Sequence, residues 1–316
     1  MATTATTVRQ GEGRRAPLAG GMAVALASAA TFGLSGPIAK SLLGAGWSPL
    51  AVVMLRIGGG ALVLAVPALV VLRGPAAPLS RRSWGTMALF GVFAIAGVQL
   101  AYYNAVQTLS VGVAMLLEYL APVLLLGLVW VRTRRRPSTG SLVGAALALA
   151  GLFFVIDVFG GVRVDLGGLA WGLLAACCLV GYFVLSARAG DGLHPIVMAA
   201  GGCAVGFLAL VVVAVLGVLP VHASTQTTLV LGHRVSWLVP AALMVVVSTA
   251  LAYLAGILGV QRLGSRVASF VGLTEVLFAV LWAWLLLAEM PSLVQLFGGL
   301  WVTAGVVLVR TDRSVG

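Results

Sequence analysis

From residue 18 onward the chain is a succession of apolar stretches about twenty residues long, separated by short polar breaks. A stretch of ~20 mostly apolar residues, wound as a helix, is long enough to cross the hydrocarbon core of a bilayer. Ten such stretches can be read, at about 18–43, 48–72, 84–107, 110–131, 139–157, 166–187, 195–219, 236–260, 266–288 and 291–309. The breaks carry the expected chemistry, as in GWSP at 46–49, RGPAAPLSRR at 73–82 and RTRRRPS at 132–138. Leu229–Leu231 touch the interface in this reading, but the loop 222–234 is too polar to span. Only 9% of the residues are charged, against about 25% in a soluble domain. In lipid every backbone polar group must pair internally, which leaves helices or closed barrels. Barrel strands alternate apolar with polar residues, and these stretches do not. The fold class expected is therefore all-α integral membrane, with ten transmembrane helices.

The net charge of +11 raises nucleic acid as a partner, and its distribution removes it. Ten spans put both termini on one side. On that side fall 15 of the 19 basic residues, among them Arg81, Arg82 and the run Arg132–Arg136. Lys40, Arg56, Arg163 and Arg234 are left for the other half. Short loops rich in Lys and Arg face the cytoplasm, so the reading is a multi-pass protein of the cell (inner or plasma) membrane with cytoplasmic N- and C-termini. The charge is a topology signal; the partners are the lipid bilayer and a small solute, not nucleic acid. Cys177, Cys178 and Cys203 lie in apolar segments without a metal-ligand spacing, and His194, His222 and His233 lie at loops or helix edges. No metal site, cofactor or phosphate-binding loop is indicated.

Residues 1–17 read as a disordered cytoplasmic tail, 18–157 as a first unit of five helices, and 158–316 as a second with a short C-terminal end. The two units are related. Shifting the chain by 154 residues pairs 106–155 with 260–309 at 13 of 50 identical positions. The informative pairs are Gln107 with Gln261, Trp130 with Trp284, Pro137 with Pro291, Gly144 with Gly298 and Gly151 with Gly305. Five helices is an odd number, so the second copy enters the membrane upside down. Such inverted repeats recur in transporters, where two halves rock about a site near the midplane.

Ionisable groups at membrane depth are costly and are functional candidates by default. Glu118 and Glu275 are the two acidic residues well inside spans, on counterpart helices and about one turn out of register. A carboxyl away from water can hold a proton and exchange it for substrate, or hold a substrate ammonium when ionised. The alternative is a structural role, bonded to a neighbouring helix or paired with Arg56. Arg56 sits eight residues into the second span and could grip a carboxylate; Lys40, near a helix end, is expected to snorkel. Uncharged candidates are Gln99, Tyr103 and Gln107 on one face of the third helix, with Asn104 one position aside. Tyr119, Ser35, Tyr182, Ser186, Ser248, Tyr253 and Thr274 add hydroxyls at span depth. Hinge candidates are Gly33, Gly36 and Pro37 in the first helix and Pro122 in the fourth. Gly202 and Gly206, spaced as GxxxG, are expected to serve helix packing.

The order of these pieces resembles a known family. FGLSGPIAKSLL in helix one, MLRIGGGALVL in helix two and YYNAVQTLSVGVAMLLEYLAPVLLLGLVW in helices three and four carry the likeness in the first half. RVASFVGLTEVLFAVLWAWLLLAEMPS and GGLWVTAGVVLV carry it in the second. They resemble the EamA-type branch of the drug/metabolite transporter superfamily, over nearly the whole chain after residue 17. The resemblance implies an inner-membrane exporter of small metabolites or amino acids, working by alternating access, and an arginine is common in that family at the position of Arg56. One departure stands out: the family commonly has a proline after the helix-nine glutamate, and here Glu275 is followed by Val276. A proline-induced break is therefore expected only in the first half, at Pro122.

The function expected is secondary export of a small metabolite, with an amino acid leading, protons as a candidate coupling ion, and no enzymatic activity. A multidrug-type exporter of amphipathic cations is the alternative on substrate. A lipid-modifying membrane enzyme lacks its catalytic cluster here, and a non-transporting scaffold leaves the repeat unexplained.

Overall fold

A computed structural model describes residues 9–74, 80–108, 111–155, 165–188, 193–287 and 290–311. Its first part comprises α1 (Arg9–Gly33), α2 (Ser35–Gly44), α3 (Pro49–Arg73), α4 (Arg81–Leu89), α5 (Val98–Thr108), α6 (Val111–Glu118), α7 (Ala121–Thr133) and α8 (Thr139–Val155). The second comprises α9 (Leu166–Arg188), α10 (Pro195–Val215), β1 (Thr228–Val230), β2 (His233–Val235), α11 (Leu238–Val245), α12 (Ala252–Gly272), α13 (Thr274–Leu287) and α14 (Leu293–Thr311). Two π-helical segments, Phe90–Gly97 and Val246–Leu251, join α4 to α5 and α11 to α12. Among the described residues six helical stretches are long and apolar enough to cross a membrane, including Gly20–Gly44, Pro49–Arg73 and Pro195–Val215, and four shorter apolar helices accompany them. The outside of the bundle is apolar, with Leu62, Val66, Leu166, Val215 and Leu300 all more than two-thirds exposed. Water would not tolerate such a surface, and lipid requires it.

Local chemistry sets the helix ends. Ser48 caps α3, its Oγ accepting from the Ala51 N–H at 3.3 Å and from the His222 N–H at 2.9 Å, with Pro49 at the first helical position. Ser80 caps α4 through the Ser83 N–H in the same way. Gly264, at φ 79° and ψ 157°, turns the chain inside α12. A side chain resists that backbone, and glycine does not. Toward the N-terminus, α1 extends to Arg9, beyond the apolar residues and into the segment expected as a tail. Once nucleated, a helix gains a hydrogen bond with each residue added.

Among the described residues three apolar rods are interrupted at a tight turn. Between α1 and α2 the break lies at Leu34, with Pro37 unable to donate to the Gly33 carbonyl. Between α6 and α7 the Leu120 N–H reaches back only to Leu117 and the Val123 N–H only to Leu120. Between α12 and α13 the Leu273 N–H bonds Phe270 and the Val276 N–H bonds Leu273. The last two breaks thus repeat one tight-turn pattern, 153 residues apart. The second has no proline. There the Thr274 hydroxyl takes the Val271 carbonyl at 2.6 Å, a side-chain bond that competes with the helix ladder. A break therefore occurs in helix nine as well, made by different chemistry from that expected at Pro122.

Packing joins the two parts helix by helix. α8 and α14 run antiparallel in close contact, because Gly144, Gly151 and Gly305 bring the backbones together. α1 pairs antiparallel with α12 through Ala25 against Gly259, and α3 packs on α10. α5 packs on α9, and α10 also meets the first π segment. Gly202 and Gly206 of α10 receive Phe90 and Ile95 there, which is the packing role expected of their spacing. The loop 222–234 is not irregular throughout. It forms the hairpin β1–β2, with Val230 opposite His233. Leu231 and Gly232 turn it with φ 54° and 74°, as a type I′ turn requires. The Leu231 N–H is held by the Leu286 carbonyl at the end of α13, at 3.2 Å.

Candidate functional site

The interrupted helices surround a cavity of about 520 Å³, mostly apolar but with charged and polar side chains in its wall. Phe32 and Ser35 come from the α1–α2 break, Arg56 from α3, Gln99 and Tyr102 from α5, Glu118 and Tyr119 from the α6–α7 break, and Glu275 from α13. Both glutamates thus sit beside helix interruptions. Glu118 is the last residue of α6, and Glu275 is the second residue of α13. The close approach of α1 to α13 depends on Gly33, where a Cβ would lie 2.7 Å from the Glu275 carbonyl oxygen.

Arg56 is 7% exposed. Its Nη2 donates to the Ser248 carbonyl at 3.3 Å, and its Nε has no partner. Ser248 lies in the second π segment, whose widened turn is also marked by a 2.8 Å bond from Thr249 Oγ1 to the Met244 carbonyl five residues back. Among the described residues neither carboxyl forms an ion pair with Arg56. The Tyr119 hydroxyl is a hydrogen-bond partner of the Glu275 carboxyl. Two cations, Arg56 and Lys40, and two carboxyls therefore face one chamber, and Arg56 makes no direct ion pair with either carboxyl. Such an arrangement can hold a solute that carries both charges.

A smaller chamber of about 100 Å³ adjoins the first and shares Phe32, Val98, Gln99, Tyr119 and Glu275 with it. Its walls are aromatic. Tyr253 meets Phe32 edge to face at 4.9 Å between ring centroids, and Tyr182 meets Phe183 at 5.1 Å. Pro122 lines it too. A third, open space of about 800 Å³ lies between the hairpin and the ends of α2 and α13, lined by Lys40 and Arg234. Lys40 borders both this space and the central cavity.

The candidates read from the sequence are distributed unevenly. Arg56, Glu118, Tyr119, Gln99, Ser35, Glu275, Gly33 and Gly36 line the central cavity, and Tyr182 and Tyr253 line the smaller one. Asn104 donates instead to the Leu100 carbonyl of its own helix at 2.8 Å. Thr274 is spent on the Val271 carbonyl, and Ser186 is fully buried with its hydroxyl unpartnered. The side chains of Tyr103 and Gln107 lie outside the described ones. On α5 the lining residues are Val98, Gln99 and Tyr102, with Tyr102 three residues after Gln99 and four after Val98. Tyr102 was not singled out by the sequence. Its position three residues after Gln99 is the signal that would have found it.

A comparison with curated proteins gives no significant match. Among solved structures, one described as "Crystal structure of protein" superposes with a TM-score of 0.71 over 92% of this chain and 96% of its own, at 17% identity. That likeness is one of fold. A family model described as the EamA-like transporter family matches twice, over residues 19–157 and again over 166–311, so the chain belongs to that family of membrane transporters.

Proposed function

We propose that the protein exports a small zwitterionic metabolite, an amino acid or a close relative, across the cell membrane by alternating access and in exchange for protons. In this reading the chain crosses the membrane ten times in two five-helix units of inverted topology, with both termini in the cytoplasm. Arg56 takes the substrate carboxylate, since a guanidinium binds it in two-pronged fashion. Glu275, oriented by Tyr119, takes the ammonium. Glu118 carries the proton.

The observation that carries the reading is the set Arg56, Glu118 and Glu275, which faces one cavity without a direct ion pair between arginine and carboxyl. Charged groups at membrane depth cost several kcal/mol, and a zwitterion bound in direct contact with them would offset part of that cost. The inverted repeat is supported by features that recur between the units: π segments in the third helix of each, tight-turn breaks in the fourth, and glycine-mediated contact of the fifth helices. Alternating access is supported by the unequal chambers. The larger cavity, of about 520 Å³, reaches Leu43 and Pro49, and the aromatic chamber of about 100 Å³ adjoins it.

The test is uptake into vesicles reconstituted with the protein, using a panel of amino acids and an aromatic dye cation, with and without a pH gradient. Amino-acid flux that Arg56→Lys abolishes is expected. Flux of the dye alone, unaffected by Arg56→Lys, would replace the proposal with a cation exporter. Glu118→Gln should leave exchange of labelled for unlabelled substrate but remove its response to the pH gradient; a response of normal size would take the proton away from Glu118.

A further inference from the structure

Arg56 lines the central cavity, and behind it lies the second π-helical segment, Val246–Leu251. Its helix, α3, packs on that segment with Gly59 and Gly60 at the contact. A Cβ at Gly59 would collide with Val245, and one at Gly60 would lie 2.6 Å from the methyl carbon of Thr249. Arg56 precedes these glycines by three and four residues, so it shares their helix face. The close approach brings the guanidinium to the π segment, where Nη2 donates to the Ser248 carbonyl at 3.3 Å.

The widened turn makes that carbonyl available. A π turn spans one residue more than an α turn, and a carbonyl oxygen has two lone pairs. One lone pair can serve the helix ladder and the other a donor from a neighbouring helix. Thr249 braces the turn. It is fully buried, and its Oγ1 donates to the Met244 carbonyl five residues back at 2.8 Å, while its methyl group lies over Gly60. Among the guanidinium donors, one N–H of Nη2 is given to Ser248 and Nε is enclosed without a partner. Nη1 is not enclosed in this way. The donors left for a carboxylate in the cavity are therefore on Nη1 and Nη2.

The packing itself does not call for an arginine. A similar contact occurs where α10 meets the first π segment, Phe90–Gly97. Both helices begin with a proline, Pro49 in α3 and Pro195 in α10. Counted from it, Gly60 corresponds to Gly206, which faces Ile95, and Arg56 corresponds to Gly202, which faces Phe90. One contact is filled by an aromatic ring, and the other carries a cation that reaches a cavity. We infer that the second π segment positions Arg56 for the substrate carboxylate, and that Thr249 is the positioning residue. Thr249 holds the turn that presents the Ser248 carbonyl, and this carbonyl steadies one arm of the guanidinium. The inference rests on the zwitterion reading above and adds how its carboxylate site is built.

The test uses the full-length protein in reconstituted vesicles and whichever amino acid of the panel is carried fastest. Its carboxamide, which keeps the ammonium and the side chain but has no carboxylate, is added as a competitor. Thr249→Val keeps the shape of the side chain and removes the hydroxyl. It should raise the KM of the amino acid about fivefold with the maximal rate unchanged, about the worth of one neutral buried hydrogen bond. Inhibition by the carboxamide should change less than twofold, because a neutral amide draws little from Arg56. Thr249→Ser, which keeps the hydroxyl, should restore the KM. If Thr249→Val yields no folded protein, Gly60→Ala displaces the same turn through the Thr249 methyl and carries the same expectation. A KM that moves less than twofold overturns the inference, as does a KM that rises together with the inhibition constant of the carboxamide. The zwitterion reading survives either result as long as Arg56→Lys abolishes flux. No flux of any amino acid overturns both.

Discussion

Gly151 of α8 faces α14 so closely that a single methyl group should be felt by the whole protein. A Cβ at Gly151 would lie 2.5 Å from the Val302 nitrogen and 2.6 Å from the Gly298 carbonyl oxygen, both backbone atoms. Ordinary contact begins at 3.4 Å, so Gly151→Ala demands 3.4 − 2.5 = 0.9 Å of separation between the two helices. No side chain can rotate away, because the obstruction is backbone. The helices must part, and with them the neighbouring contacts at Gly144 and Gly305 loosen. Overpacking of this kind costs about 1–3 kcal/mol, more than the ~0.5–1 kcal/mol that alanine gains over glycine within a helix. Gly127 of α7 supplies the control, since a Cβ there meets nothing within 4 Å. Gly127→Ala should be neutral or stabilising by up to ~1 kcal/mol. Reversible unfolding in mixed detergent micelles, read by circular dichroism, measures both. If Gly151→Ala unfolds at the same denaturant fraction as Gly127→Ala, then α8 and α14 are not held in close contact and the pairing of the two halves described above is wrong.

Other consequences are equally open to measurement. Gly305→Ala, which faces the Gly144 carbonyl oxygen at 2.5 Å, should destabilise by a similar ~1–3 kcal/mol, and the double variant with Gly151→Ala should cost less than the sum because one separation relieves both clashes; full additivity in the same unfolding assay would argue for two independent contacts. Tyr119→Phe removes the hydroxyl partner of Glu275 and should raise the KM for amino-acid uptake about tenfold or more, a hydrogen bond to a charged group being worth about 1.5–3 kcal/mol; an unchanged KM would show that Glu275 is positioned without it. Gly264→Val should destabilise by more than ~1 kcal/mol, because φ 79° with ψ 157° is a backbone region essentially reserved for glycine; retention of full stability would place a different turn between the two helices. Gly232→Val should open the hairpin turn and expose the 228–235 segment to protease added outside sealed vesicles, whereas Leu231→Gly, which relieves a bulky residue at φ 54°, should protect it; cleavage at equal rates in both would show that the type I′ turn does not govern the segment.

The sequence by itself determined the material the protein is made of and much of its plan. Long apolar runs allow only helices in lipid, and the arginine distribution and the 154-residue repeat follow from linear order alone. Glu118, Glu275 and Arg56 were visible for the same reason, since an ionisable residue within an apolar run is conspicuous wherever its side chain points. What linear order does not contain is rotation and proximity. On α5 the cavity wall takes in Tyr102, three residues after Gln99; residues three and four apart share a helix face, and which of them lines the cavity is decided by what the helix packs against. The break at Leu273 was hidden because a threonine makes it, through one side-chain bond that forms only in context, while proline breaks announce themselves. The same holds for Asn104 and Thr274, polar residues at span depth whose bonds turn back on their own helices. Most of all, only the tertiary structure brought the unpartnered hydroxyl of Tyr182 against Gly256 and Tyr253, residues more than 70 positions away, because a packed interior is specified by which helices meet, and that is a property of the whole chain at once.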